Sequence, residues 1–148
     1  MTAEFDTLEK QGMEAMERIY NKIVVDHAML PRNVGNISQA DGFGRITGPC
    51  GDTMEIWLKV ESDEVRKATF WTDGCGATIA CGSMITEMVK NLSIVQALRI
   101  KQKEVLNSLG GLPEDNVHCA LLAANTLREA IRDYQILKKE PWRKAYRK

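Results

Sequence analysis

The chain has 148 residues, and its 20 Lys and Arg side chains balance its 20 Asp and Glu side chains. This length fits a single domain, and a net charge of zero argues against a general nucleic-acid binder, which needs an excess of cationic side chains. The longest run without a charged residue, 74–86, has 13 residues, whereas a helix that spans a membrane needs about 20.

The N-terminal residues indicate the compartment. Residues 1–6 contain two acidic side chains and resemble neither a secretory signal, with its basic start and apolar stretch, nor an Arg-rich mitochondrial presequence. We therefore expect a cytoplasmic protein that forms one domain over 1–148, with a core at about 19–137. In a reducing compartment the four cysteines are expected to be metal ligands, reactive thiols or core residues, not disulfides.

The first predicted element is a helix. Apolar residues recur at helical spacing and predict one helix over Thr7–His27. Pro31 prevents it from continuing. The stretch 31–44 is rich in Pro, Asn, Gly and Asp, which predicts a loop.

Strands follow the loop. Strict alternation of apolar and polar residues predicts strands over Thr53–Val60 and Val65–Asp73, with a polar turn between them. This pattern is typical of an antiparallel hairpin. Gly42–Gly48 is a candidate third strand at the edge.

Helical spacing returns in the second half of the chain. It predicts a helix over Ala77–Asn91, two short helices over Ser93–Leu98 and Lys101–Leu109, and a long C-terminal helix over Val117–Lys139 that Pro141 ends. The order of elements predicts an α+β fold, a small antiparallel three-stranded sheet with helices packed on one face.

Three of the four cysteines lie at the predicted ends of elements. Cys50 precedes the first long strand, Cys75 lies between two glycines that separate strand from helix, and Cys119 follows His118 in the first turn of the long helix. With Asp52 or His118, three thiolates supply four donors, a set that suits tetrahedral zinc or an iron–sulfur cluster. There is no Cys-x-x-Cys pair, which argues against a zinc ribbon or a thioredoxin-type site.

The four cysteines are not equivalent. Cys119, at a helix N-terminus and beside a histidine, is expected to be more ionised than an ordinary thiol, which makes it the candidate nucleophile for an electrophilic sulfur. Cys81 lies on the apolar face of its helix and is expected in the core. Spacing alone does not bring the other positions together, so an ordinary turn carboxylate at Asp52, a first-turn histidine and buried thiols remain the alternative.

Five stretches carry a family resemblance: Tyr20–His27 with Pro31–Gly35, Gly48–Asp52, Gly74–Ala80, Thr86–Lys90, and Leu112-Pro113 with His118-Cys119. In this order they resemble the IscU type of iron–sulfur cluster assembly scaffold, which is also the N-terminal domain of NifU. Five ordered stretches over most of the chain are far more specific than any one of them.

The resemblance implies a scaffold, not a turnover enzyme. Such proteins bind iron, receive persulfide sulfur from a cysteine desulfurase, build a labile [2Fe–2S] cluster and hand it to apo acceptor proteins. A ferredoxin-type electron donor and a homodimer are further implied partners. The resemblance implies Cys50, Cys75 and Cys119 as thiolate ligands, Asp52 as the fourth ligand with His118 as its alternative, and Cys119 as the persulfide acceptor.

The chain also departs from the family pattern. Leu112–Asn116 lacks the second Pro and the Lys of the family motif that docks an Hsp70-type chaperone, so that partner is doubtful. Cys81 stands where the family usually has a small residue such as Ser, which leaves a fifth ligand as an alternative to the core role. The 43 residues between Cys75 and Cys119 leave little room for the insertion of the zinc-binding SufU type.

Three other functions remain open. The same residues could hold zinc in a sulfur-transfer protein, and zinc could also occupy the apo-scaffold. A stable electron-transfer protein is disfavoured, because a fourth well-placed cysteine is lacking. The last alternative is a structural domain without metal.

Overall fold

The computed structural model describes residues 10–12, 14–15 and 17–146. Its three strands, β1 (Gly42–Thr47), β2 (Thr53–Glu61) and β3 (Glu64–Thr72), lie side by side in chain order and are antiparallel. The predicted hairpin and the candidate edge strand are therefore both confirmed.

A two-residue turn joins β2 to β3. Ser62 and Asp63 have φ values of +53° and +57°, the left-handed conformation that two-residue hairpin turns require. The Asp63 carboxylate accepts hydrogen bonds from the side chains of Tyr134 and Lys138, and its carbonyl accepts one from the Ile94 N–H at 2.9 Å. The tip of the hairpin is thus fixed to the helical layer.

Over residues 18–146, five α-helices accompany the sheet: α1 (Lys22–Met29), α2 (Gly76–Val89), α3 (Ile94–Ala97), α4 (Gln102–Leu109) and α5 (Val117–Lys139). Short 3-10 helices at Glu114–Asn116 and Pro141–Tyr146 flank α5. The α+β class, with helices on one face and a long C-terminal helix, is confirmed. Among the helices of the described residues, none is long and apolar enough to cross a membrane.

The prediction of one continuous helix over Thr7–His27 is wrong. Residues 10–12, 14–15 and 17 are helical, but 18–21 are not, and α1 begins afresh after Asn21. The Asn21 side chain caps α1 by accepting the Val24 N–H at 3.0 Å, and it donates to the Leu109 carbonyl at 2.8 Å. Asn is among the preferred residues at this position because its side chain satisfies a free backbone N–H. Residues 7–9, 13 and 16 of the predicted helix lie outside the described residues.

The core lies between one face of the sheet and helices α2 and α5. α2 packs on β3, α5 crosses β1 and β2, and α1 packs on α2 away from the sheet. The alternation predicted for β2 is observed, because residues 54, 56, 58 and 60 are buried whereas residues 55, 57 and 59 are partly exposed. The buried residues include Met54, Ile56, Leu58, Ala68 and Phe70 of the sheet, with Ala80, Ile85, Ala123, Leu127 and Ile131 of the helices.

The segments that carry Cys50 and Cys75 lie at the same end of the sheet. The β1–β2 connection lies there, because Thr47 pairs with Thr53. The end of β3 lies beside it, since Thr72 pairs with Met54, and α2 starts soon after. The fold therefore places the start of α2 next to the loop that carries Cys50.

Candidate metal and sulfur site

Cys50 lies in the tight connection between β1 and β2. The Gly48 N–H donates to the Asp52 carbonyl at 2.8 Å, which closes the loop, and the Gly51 N–H donates to the Gly48 carbonyl at 3.0 Å. Gly51 has φ +89°, a conformation that a side chain would strain. The closed loop presents the Cys50 thiol to solvent.

Cys75 occupies the residue before the first turn of α2, and its thiol is exposed. Burial raises the pKa of Cys75, but hydrogen bonds from the backbone N–H groups of Thr78 and Ala77 and from the Thr78 hydroxyl lower it by more. The net pKa lies below that of an ordinary thiol, as expected for a sulfur at a helix N-terminus.

Cys119 differs from this pattern and corrects a prediction. Its side chain is 1% exposed, and burial raises the pKa of its thiol, with the charges of Cys75 and Asp52 acting in the same direction. Hydrogen bonds from Thr78 and Asn116 lower the pKa by less. The expectation of a more ionised Cys119 is therefore wrong for this conformation, because burial outweighs the helix N-terminus.

The side chain of Thr78 brings three of the predicted ligands together. Its hydroxyl oxygen lies 3.1 Å from Asp52 Oδ2, 3.4 Å from Cys119 Sγ and 3.7 Å from Cys75 Sγ. Sequence reasoning missed this residue. Its position three residues after Cys75, on the same face of a helix, was the signal that could have identified it.

His118 and Cys50 border one cavity together with Asp52. His118 Nε2 is 3.7 Å from Cys119 Sγ. A cavity of about 180 Å³ is lined by Cys50, Asp52 and His118 together with the apolar side chains of Leu121 and Leu122. All five predicted site residues therefore lie at one end of the molecule.

The donor atoms of these five residues do not surround one common position that a metal ion could occupy. Over the described ranges, no three His, Cys, Asp or Glu side chains are close enough to hold one metal ion. The chemistry of the set nevertheless fits a soft metal, since it combines thiols with one carboxylate and one imidazole. Loading would require the Cys50 loop or the side chains at the helix ends to move inward.

Tyr20 and Asn116 also border the site, and the sequence did not single them out. The Tyr20 hydroxyl donates to Asn116 Oδ1 at 3.4 Å. Burial raises the pKa of Tyr20, and the charges of Cys75 and Cys119 raise it further.

Cys81 is the remaining cysteine, which the sequence predicts in the core. It is fully buried in the core, and burial raises the pKa of its thiol strongly. The predicted core role of Cys81 is confirmed.

Comparison with known proteins gives consistent results along the chain. The family model for the NifU-like N terminal domain matches residues 19–141. The iron-sulfur cluster assembly scaffold protein IscU 1 of Archaeoglobus fulgidus is 48% identical over 117 residues, which cover 78% of this chain and 76% of that protein. The scaffold protein IscU of Aquifex aeolicus is 46% identical over 118 residues, covering 78% and 75%.

A solved structure supports the fold. The N-terminal part of a NifU-like protein from Brucella abortus superimposes with a TM-score of 0.63 and covers 82% of this chain and 97% of that one. The two sequences are 19% identical over the match, so this comparison speaks to the arrangement of helices and strands alone.

Proposed function

The chain belongs to the NifU-like N terminal domain family, and on that premise we propose that it is a scaffold on which iron–sulfur clusters are assembled. The observation that carries the proposal is the group formed by Asp52, Cys75 and Cys119 around the Thr78 hydroxyl, with Cys50 and His118 beside it. Scaffold proteins are named as such among relatives at 46–48% identity.

The proposed cargo is a [2Fe–2S] cluster. Its two irons need four terminal ligands, and Cys50, Cys75, Cys119 and Asp52 would supply them, with His118 as the alternative to Asp52. A carboxylate oxygen is a harder donor than a thiolate and binds a soft iron–sulfur unit less well. Such a ligand set would bind a cluster weakly enough to release it. A scaffold needs this exchangeability, whereas an electron carrier must keep its cluster.

Cys119 is the proposed acceptor of sulfur from a cysteine desulfurase. Its thiolate attacks the outer sulfur of the donor's persulfide, a new S–S bond forms, and the donor cysteine leaves as a thiolate. Since Cys119 is 1% exposed, its side chain must turn outward during delivery. Cys119→Ser should abolish persulfide formation on this protein, whereas persistent persulfidation seen by mass spectrometry would move the acceptor to Cys50 or Cys75.

The electron balance names a further partner. Two sulfane sulfurs take up four electrons when they become sulfide, and two ferrous ions that become ferric supply two of them. A ferredoxin-type donor would supply the other two. This chemistry requires reduced thiols, which favours the cytoplasm as the proposed location.

One experiment tests the proposal. The chain is purified anaerobically and supplied with desulfurase, cysteine, ferrous iron and a reductant, and its metal content, acid-labile sulfide and transfer of cluster to an apo-ferredoxin are recorded. We expect iron and sulfide in equal amounts and their loss to the acceptor. Zinc without sulfide would favour the sulfur-transfer protein, and a cluster that never leaves would favour an electron carrier.

A further inference from the structure

The hydroxyl of Thr78 makes different hydrogen bonds from those of Thr86 and Thr126, which are also buried threonines in helices. Thr86 of α2 and Thr126 of α5 each place their hydroxyl 2.7 Å from the carbonyl four residues earlier, on Gly82 and Leu122. Such a bond within the helix is the common arrangement for threonine. The Thr78 hydroxyl instead contacts one carboxylate and two sulfurs.

Burial makes these contacts significant. Thr78 is 0% exposed, so water does not compete for its hydroxyl, and a hydrogen bond in such surroundings is stronger than one in water. As metal ligands, Cys75 and Cys119 would be thiolates beside the Asp52 carboxylate. A hydroxyl that donates to an anion makes a stronger hydrogen bond than one that donates to a neutral group.

We propose that Thr78 is a positioning residue, whose buried hydroxyl shares its single proton between Asp52 and Cys119, holds both residues at the site and stabilises them as metal ligands. The inference rests on the proposed function, because it takes these two residues as ligands. It assigns to Thr78 a role of its own, which acts through the ligands without binding the metal. Groups that hydrogen-bond metal ligands typically contribute 10- to 100-fold to metal affinity.

The test measures the affinity of the full chain for Zn²⁺, by competition with a chromophoric chelator. Thr78→Val keeps the side-chain volume but removes the hydroxyl, and Thr78→Ala is a second variant without it. Both should bind Zn²⁺ about 10- to 100-fold more weakly than the wild type. Thr78→Ser restores the hydroxyl and should bind within about threefold of the wild type, a difference below the effect of one hydrogen bond to a charged group.

Thr126→Val is the matched control. It makes the same substitution at a fully buried helical threonine whose hydroxyl bonds the Leu122 carbonyl. Its Zn²⁺ affinity should equal that of the wild type. The inference is overturned if Thr78→Val and Thr78→Ala bind as the wild type does, if Thr126→Val is weakened equally, or if Thr78→Ser is as weak as Thr78→Ala.

The inference and the proposed function can fail separately. A wild-type chain that binds Zn²⁺ but builds no cluster contradicts the proposed scaffold role, while the comparison of Thr78 variants still decides the role of the hydroxyl. A wild-type chain that binds no Zn²⁺ contradicts the inference about Thr78. Cluster assembly on a Thr78→Val chain with wild-type Zn²⁺ affinity would support the scaffold and refute the inference.

Discussion

Gly44 of β1 lies so close to α5 that a Cβ atom on it would come within 2.5 Å of the Thr126 carbonyl oxygen and of the Ala130 nitrogen. Both obstacles are backbone atoms, so neither can turn aside. The missing side chain lets α5 lie directly on the sheet, and α5 carries His118 and Cys119 in its first turn. The distance between this helix and β1 therefore helps set the position of two site residues.

Gly44→Ala should destabilise the chain by about 3 kcal/mol, the upper range for overpacking a core. Thermal and urea unfolding, followed by circular dichroism, would measure the change. Gly48→Ala is the control, because the nearest atom to its Cβ would be 3.7 Å away on the flexible side chain of Leu122. Equal losses in the two variants would contradict the close-contact explanation.

His27 should make stability depend on pH. Its Nδ1 lies 2.7 Å from Ser83 Oγ, and the Arg32 N–H donates to the same oxygen at 2.9 Å. Burial lowers the pKa of His27, as does the charge of Arg32, while Asp26 and Glu87 oppose the shift. The imidazole therefore stays neutral in the folded chain at a pH where it is already protonated in the unfolded chain.

The sign follows from proton counting. Below about pH 6.5, the ordinary pKa of histidine, the unfolded chain binds more protons, so the free energy of unfolding falls as the pH falls. The slope from this one group cannot exceed about 1.4 kcal/mol per pH unit, and it vanishes once the folded His27 also takes up a proton. His27→Gln should weaken the dependence of the unfolding free energy on pH just below about pH 6.5, relative to the wild type, and parallel curves would count against this assignment.

Cys81→Ala tests whether the fourth cysteine belongs to the site. Because Cys81 is fully buried, we expect a loss of about 1 kcal/mol in the free energy of unfolding, the usual result for a core substitution. Zn²⁺ stoichiometry and affinity should be unchanged. A Zn²⁺ affinity that falls as far as it does in Cys75→Ala would instead identify Cys81 as a ligand.

Asp52→Ala should slow the release of a bound cluster. Loss of the carboxylate removes the hard donor that makes the ligand set exchangeable, and His118 remains near Cys119 to replace it. The rate of cluster transfer to an apo-ferredoxin, followed by visible circular dichroism, is the measurement. Glu114→Ala removes an exposed carboxylate and serves as the control; equal transfer rates for Asp52→Ala and the wild type would refute the prediction.

The sheet could be predicted from sequence because its signal is local. Alternation over Thr53–Val60 reflects one buried and one solvent-facing side of a strand, and the structure places the same residues inward. The break at 18–21 was missed, since apolar spacing continues across it. The Asn21 side chain stabilises the break partly through the Leu109 carbonyl, 88 residues away, and periodicity carries no information about such a contact.

Some features of the candidate site could likewise be predicted from local sequence, and others could not. The sequence identified Cys50, Cys75 and Cys119 because glycines and helix ends surround them, and the structure brings them to one end of the fold. The burial of Cys119 could not be predicted, as it depends on how α2 and α5 pack together. Thr78 was missed for a related reason, since its role depends on Asp52 and Cys119, which approach it from two other segments.

The three sulfurs are attached to the β1–β2 loop, to the residue before α2 and to the first turn of α5. A metal ion or cluster bound to all three would be a removable cross-link between the sheet and the helices. Because it binds only the folded chain, it would raise the melting temperature, which would fall again when it leaves. On the proposed function, a recipient protein therefore need not pull the cluster out. Moving α5 away from the β1–β2 loop would separate Cys119 from Cys50, so release would follow from loosening the scaffold itself.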